Sequence, residues 1–159
     1  MLAGRGEEPD VELFTSGELE LLRRPSVSVV GTREVSDDGW SRAWRLAREL
    51  AEHSVTVVSG LARGVDTAVL TGAIEKYSKV VAVIGTPIDQ AYAIENAALQ
   101  EKIYRNYLLI SQFPVEERVF PSNFRKRAPL WAAFTPVPDV LIASDGRGAR
   151  SRRSAGLSS

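Results

Sequence analysis

At 159 residues, with a hydrophobic share of 44% and a charged share of 25%, the chain has the size and composition of one globular domain built around a single core. No apolar run approaches the roughly 18 residues of a membrane span, no cysteine is present for a disulfide framework or a thiolate metal site, and MLAGRGEEPD lacks the apolar stretch of a secretion signal. The expectation is a cytoplasmic protein that touches no membrane. Twenty basic residues balance twenty acidic ones, which argues against a surface that attracts nucleic acid all over.

The charge is nevertheless split along the chain. Residues 1–20 carry Glu7, Glu8, Asp10, Glu12, Glu18 and Glu20 against Arg5, whereas 118–153 carry Arg118, Arg125, Lys126, Arg127, Arg147, Arg150, Arg152 and Arg153 against Asp139 and Asp145. A split in sequence is not yet a patch in space, so solvated surface and binding surface remain equal readings of it. The pattern suggests an acidic N-terminal segment over 1–25, an ordered domain over 26–143 and a basic tail over 144–159. The tail, DGRGARSRRSAGLSS, has almost nothing to bury and is expected to be disordered.

Within the domain, five runs rich in β-branched residues read as strands buried on both faces: SVSVV (26–30), VTVVS (55–59), VVAVI (80–84), YLLIS (107–111) and VLIA (140–143). Between the first two, Trp40, Ala43, Trp44, Ala47, Leu50 and Ala51 recur at three- and four-residue spacing, which predicts an amphipathic helix with Arg42, Arg45, Arg48 and Glu49 facing water. Helices are also predicted over 66–77 and 94–106. A fourth is predicted over 124–134, kinked or delayed by Pro129 and ended by Pro136 and Pro138. Strands alternating with helices imply an α/β fold: a Rossmann-like, doubly wound, mostly parallel sheet of about five strands with helices on both faces.

Ligands of such sheets bind beyond the carboxyl ends of the strands. The residues there are Gly31, Thr32 and Arg33 after the first run, Gly60 to Gly64 after the second, Gly85 and Thr86 after the third, and Gln112 and Phe113 after the fourth. Ser59, Gly60, Arg63 and Gly64 belong to SGLARGVD, where glycine allows close backbone approach, N–H groups near a helix start suit an anion, and Asp66 is placed to cap the helix. Any strand-to-helix turn favours glycine, so the loop alone reads better as an ordinary turn than as a site. Arginine at two such turns, Arg33 and Arg63, favours a phosphate-bearing ligand because guanidinium groups grip phosphate in a bidentate way.

GTREVSDDG lacks the GxGxxG spacing of a dinucleotide site and no GxxxxGK[ST] occurs, so neither NAD-dependent redox chemistry nor P-loop hydrolysis is supported. The single histidine, His53, falls in a helix-to-strand turn at the opposite end of the sheet and reads as a turn residue. No metal site and no cofactor are implied. The segment VFPSNFRKRAPLW (119–131) interleaves Phe120, Phe124 and Trp131 with Arg125, Lys126 and Arg127. Basic groups beside aromatic rings grip single strands, with stacking contributing about 1 to 3 kcal/mol per base. The other reading places those rings in the core.

In order along the chain, LFTSGELELLRRPSVSVVGTR (13–33), LARELAEHSVTVVSGLARGVDTAVLTGAIE (46–75), VVAVIGTPIDQAY (80–92), LLISQFP (108–114) and PSNFRKR (121–127) resemble the DNA-processing protein A family, also called DprA or Smf. The resemblance covers residues 13 to 143, and SGLARGVD is its most specific piece. It implies an extended Rossmann-like domain that binds single-stranded DNA without sequence preference, dimerises and helps load a RecA-type recombinase in natural transformation, without an established catalytic reaction. Carried over by position, Arg33 resembles a DNA-phosphate contact, Ser59, Gly60 and Gly64 part of the pocket beyond the second strand, and Phe124, Lys126 and Arg127 the segment that grips DNA.

Departures accompany it: FRKRAP stands where the family has FPxRNR, Gln112 replaces a carboxylate, and His53 stands where glycine is usual. Relatives continue past the fifth strand, so the chain is expected to be a minimal member or to have its missing surface supplied by a homodimer or a hetero-partner. The altered FRKRAP segment also admits a scaffold that contacts a recombinase without binding DNA, and two further alternatives come from other classes. One is a sensor of a small nucleotide; the other is a phosphoribohydrolase-type enzyme, for which the PGGxGTxxE signature is absent.

Overall fold

The computed structural model describes residues 12–91 and 93–115, and the backbone of 139–143 and 149–153. The strands are β1 (Phe14–Gly17), β2 (Ser26–Gly31), β3 (Thr56–Ser59), β4 (Val80–Ile84), β5 (Leu108–Ser111), β6 (Asp139–Ala143) and β7 (Ala149–Arg153), with helices α1 (Asp37–Glu52), α2 (Val65–Glu75) and α3 (Ala97–Asn106). Short 3-10 turns occupy Leu19–Arg23 and Ile94–Asn96. The five apolar runs read from the sequence are β2 to β6. The helix predicted over 124–134 lies outside the described residues.

The seven described strands form one sheet in the order β1-β5-β4-β3-β2-β6-β7. Its centre is parallel: β5 pairs with β4, β4 with β3, β3 with β2 and β2 with β6. Winding from β2 through β3 and β4 to β5 moves steadily one way, and β6 then returns to the other side of β2. The direction of winding therefore reverses between β2 and β6, and a doubly wound sheet opens its ligand crevice at such a reversal. The Rossmann-like α/β architecture is as the strand and helix alternation predicts, except that the described helices α1, α2 and α3 all lie on one face and the other is covered by the turn at Leu19–Arg23, because crossovers that run one way from β2 to β5 share a side.

Both edges are antiparallel and come from segments that composition describes poorly. In the acidic N-terminal segment, β1 pairs Phe14 with Ser111 and Gly17 with Leu108. The turn behind it buries Leu21 against Val58, Val81, Val83, Leu108 and Ile110, a burial that contributes about 1.5 to 3 kcal/mol. In the basic tail, where composition predicts disorder, β7 pairs Asp139 with Arg153 and Ala143 with Ala149. That pairing is made by main-chain groups, which a count of apolar side chains does not register.

Helix α1 starts where Ser36 accepts a hydrogen bond from the Gly39 N–H at 3.1 Å, with Asp37 and Asp38 in the first turn complementing the helix dipole. It ends at His53, at the amino end of the sheet. Its apolar stripe, including Ala43 and Ala47, rests on α2, and α2 lies against the sheet, so Val65, Ala68, Val69, Leu70, Ala73 and Ile74 are all buried. Gly72 allows this closeness: a Cβ there would lie 2.6 Å from the Trp44 carbonyl oxygen. The Trp44 indole N–H donates to Glu75 at 2.8 Å, and Arg48, 4.4 Å over the Trp44 ring, lies 3.5 Å from the same carboxylate, joining the helices at their outer edge. Alternate residues of β3, β4 and β5 serve the two faces, Val57, Val80, Ala82, Ile84 and Leu109 on the side of the three helices and Val58, Val81, Val83, Leu108 and Ile110 on the side of Leu21.

Candidate nucleic-acid interface

The loops after β2 and β3 meet at the carboxyl edge of the sheet. The Val65 N–H donates to the Thr32 carbonyl at 3.1 Å. Gly64, at φ 81° and ψ −126°, lies so close that a Cβ would stand 2.3 Å from the Thr32 carbonyl oxygen and 2.6 Å from that of Arg33. Glycine is therefore needed at 64 for the backbone angle and for the space. This contact brings Arg33 and Arg63 to one rim beside the reversal between β2 and β6, and both are exposed.

Below the rim the SGLARGVD loop is fastened from within. Ser59 is fully buried and its hydroxyl donates to the Val29 carbonyl at 2.7 Å, tying β3 to β2. Gly60 is buried as well. The Asp66 carboxylate, 2% exposed, accepts from the Gly60 N–H at 3.2 Å and the Ala62 N–H at 3.3 Å through the same oxygen. Asp66 thus reaches back to the loop, and Gly64 rather than a side chain precedes the helix. Its carboxylate takes two of the amides that a phosphate cradle would otherwise offer, so an anion at this rim would rely on side chains more than on those amides.

A second fastening comes from a residue that the sequence did not single out. Asn96, 6% exposed, donates from Nδ2 to the carbonyls of Leu61 at 3.1 Å and Ala62 at 3.4 Å, and lies 2.8 Å from the Thr67 hydroxyl. Thr67 in turn donates to the Ala62 carbonyl at 2.7 Å. These bonds hold Leu61 buried at a left-handed φ of 59°, a conformation that costs a side-chain-bearing residue about 1 to 3 kcal/mol. An asparagine just ahead of a helix resembles many ordinary capping asparagines, which is why no signal in the sequence identified it.

At the neighbouring turns, Ser111 donates to the Thr86 carbonyl at 2.7 Å and accepts from the Phe113 N–H at 3.0 Å, and Phe113 is buried. A cleft of about 500 Å³ lies between the loop after β4 and α3, lined by Ile88, Ala91, Gln100 and Tyr104 together with the acidic Asp89 and Glu101. Two carboxylates make that cleft unsuited to a phosphate. Phe124, Lys126 and Arg127 lie outside the described residues. Among the described residues no group of carboxylates and histidine is placed to hold a metal ion, and no helix is long and apolar enough to cross a membrane.

The family model for DNA recombination-mediator protein A matches residues 2–151. The chain belongs to this family. It is 38% identical over 117 residues to the DNA processing protein DprA of Streptococcus pneumoniae, covering 74% of this chain and 41% of that protein. The X-ray structure of the Streptococcus pneumoniae protein superposes with a TM-score of 0.78 at 34% identity, over 86% of this chain and 47% of the other. DNA processing protein A from Helicobacter pylori, solved to describe its unique single-stranded DNA binding mode, superposes with a TM-score of 0.76 at 29% identity, over 89% of this chain and 65% of the other. The chain thus spans less than half the length of the pneumococcal relative it matches.

Proposed function

We propose that the chain is a sequence-nonspecific single-stranded DNA-binding module of the DNA recombination-mediator protein A type, acting without a catalytic step of its own. The observation that carries this reading is the contact between the loops that bear Arg33 and Arg63, beside the sheet's reversal, where Asp66 already engages the Gly60 and Ala62 amides of the second loop. Arginine side chains on an open rim suit a backbone that runs past, whereas a pocket for one mononucleotide would draw on the loop amides. The single-stranded DNA binding of the Helicobacter pylori relative supports the same choice. Lys126 and Arg127 add charge to this interface and Phe124 adds a ring on which a base stacks.

Family resemblance, rather than the geometry of the rim, supports the rest of the reading: the module works in the cytoplasm as a homodimer or with a hetero-partner, in DNA uptake during natural transformation, and delivers the bound strand to a RecA-type recombinase. Fluorescence anisotropy tests the binding, with a labelled oligothymidylate, a duplex and a mononucleotide across a salt series. Single strands bind best, and affinity falls steeply with salt because each neutralised phosphate releases counterions. Arg33→Ala and Lys126→Ala/Arg127→Ala each weaken binding and flatten the salt slope by about 0.7 for every phosphate no longer neutralised. Tight mononucleotide binding without oligonucleotide binding overturns the reading, and unchanged affinity and slope in both variants removes these residues from the interface. Sedimentation showing a stable monomer at micromolar concentration rejects the dimer.

A further inference from the structure

The rim contains an acidic residue where phosphate would be expected to find only cations. Glu95 Oε1 stands 4.0 Å from Arg63 Nη1, with both side chains more than half exposed. Their adjacency follows from the main chain. Asn96, next after Glu95, is bonded to the carbonyls of Leu61 and Ala62, and Ala62 immediately precedes Arg63. The buried clamp therefore holds the backbone at Glu95 near the loop that bears Arg63.

We propose that Glu95 is an affinity-setting residue, an internal carboxylate that competes with phosphodiester for Arg63. The proposal rests on the reading of this rim as a DNA-backbone surface. Arg63 then grips a strand only when a phosphate displaces Glu95, and the displaced carboxylate stays near the polyanion and repels it. An exposed pair of this kind is weak, so it lowers affinity without abolishing it. Its consequence is discrimination: a single phosphate gains little by breaking the pair, while a strand already held at Arg33 and elsewhere brings its next phosphate at high effective concentration. Glu95 thereby favours long strands over mononucleotides and inorganic anions, and eases release of the strand to whatever takes it next.

The test is a double-mutant cycle read by anisotropy with oligothymidylate: wild type, Glu95→Gln, Arg63→Ala and the double variant, across a salt series. Glu95→Gln is expected to tighten binding about two- to fivefold, the range that an exposed pair supports, and the gain is expected to vanish when Arg63 is alanine. No gain overturns the proposal, and so does an equal gain in the Arg63→Ala background, which would assign the effect to the removal of negative charge alone. Should the wild type fail to bind oligonucleotide, the DNA reading falls, and the pair is judged by tripolyphosphate binding to the same four proteins: a gain in Glu95→Gln that requires Arg63 keeps the competition, and its absence overturns it.

Discussion

Replacing Gly64 with alanine tests whether the two loops of the rim are held together by backbone contact. At φ 81° and ψ −126° the residue occupies a region that side-chain-bearing residues rarely enter, at a cost of about 1 to 3 kcal/mol. The added Cβ would also lie 2.3 Å from the Thr32 oxygen and 2.6 Å from the Arg33 oxygen. Both are main-chain atoms, so no rotamer change relieves the overlap, and overpacking of this sort costs about 1 to 3 kcal/mol more. Separating the loops also gives up the bond from the Val65 N–H to the Thr32 carbonyl. The destabilisation is therefore about 2 to 6 kcal/mol, against a typical total stability of about 5 to 15 kcal/mol. Urea unfolding followed by far-ultraviolet circular dichroism measures it. A loss of about 3 kcal/mol lowers the midpoint by about 1 to 3 M for slopes of about 1 to 3 kcal/mol per M. A midpoint that moves by less than the equivalent of about 0.5 kcal/mol, at unchanged slope, refutes the packing argument, because such a shift is typical of an ordinary surface position.

Ser59→Ala leaves the Val29 carbonyl without its donor in a buried site, so it should cost about 1 to 3 kcal/mol in urea unfolding. Once the variant is fully folded, its single-strand affinity is expected to match wild type, and a lower affinity would instead place the hydroxyl in the interface. Asn96→Ala removes the donor to the Leu61 and Ala62 carbonyls and should cost a similar amount, with faster hydrogen exchange confined to the SGLARGVD loop; unchanged exchange there would show that the loop holds itself. Gly72→Ala gains about 1 kcal/mol in helix propensity but forces α1 away from a Trp44 oxygen 2.6 Å from the new Cβ. A net fall in Tm of a few degrees is expected, and a rise in Tm would mean that α1 and α2 move apart at no cost.

Much of the architecture was legible because its causes are local. Runs such as VVAVI state their own burial, and the spacing of Trp40, Ala43, Trp44 and Ala47 states the face on which α1 lies. The turns where Arg33 and Arg63 stand could be placed at the ligand-binding edge because strand direction follows from alternation with helices. The edge strands were not legible. In β1 Phe14 is the one large apolar side chain, too short a pattern to announce a sheet partner, and β7 is a basic sequence joined through its backbone.

What the sequence by itself determined is therefore the succession of strands and helices and the presence of two arginines at their turns. The tertiary structure decided what those turns are made of: that Gly64 is needed because the Thr32 and Arg33 carbonyls lie against it, that Asp66 turns back to occupy the Gly60 and Ala62 amides, that Ser59 is engaged by Val29, and that Asn96 fastens a loop more than thirty residues before it. Each of these is a contact between groups whose separation in space is set by strand order. Composition and periodicity describe each element against a generic core, and they contain no term for which polar group of another element will stand within about 3 Å.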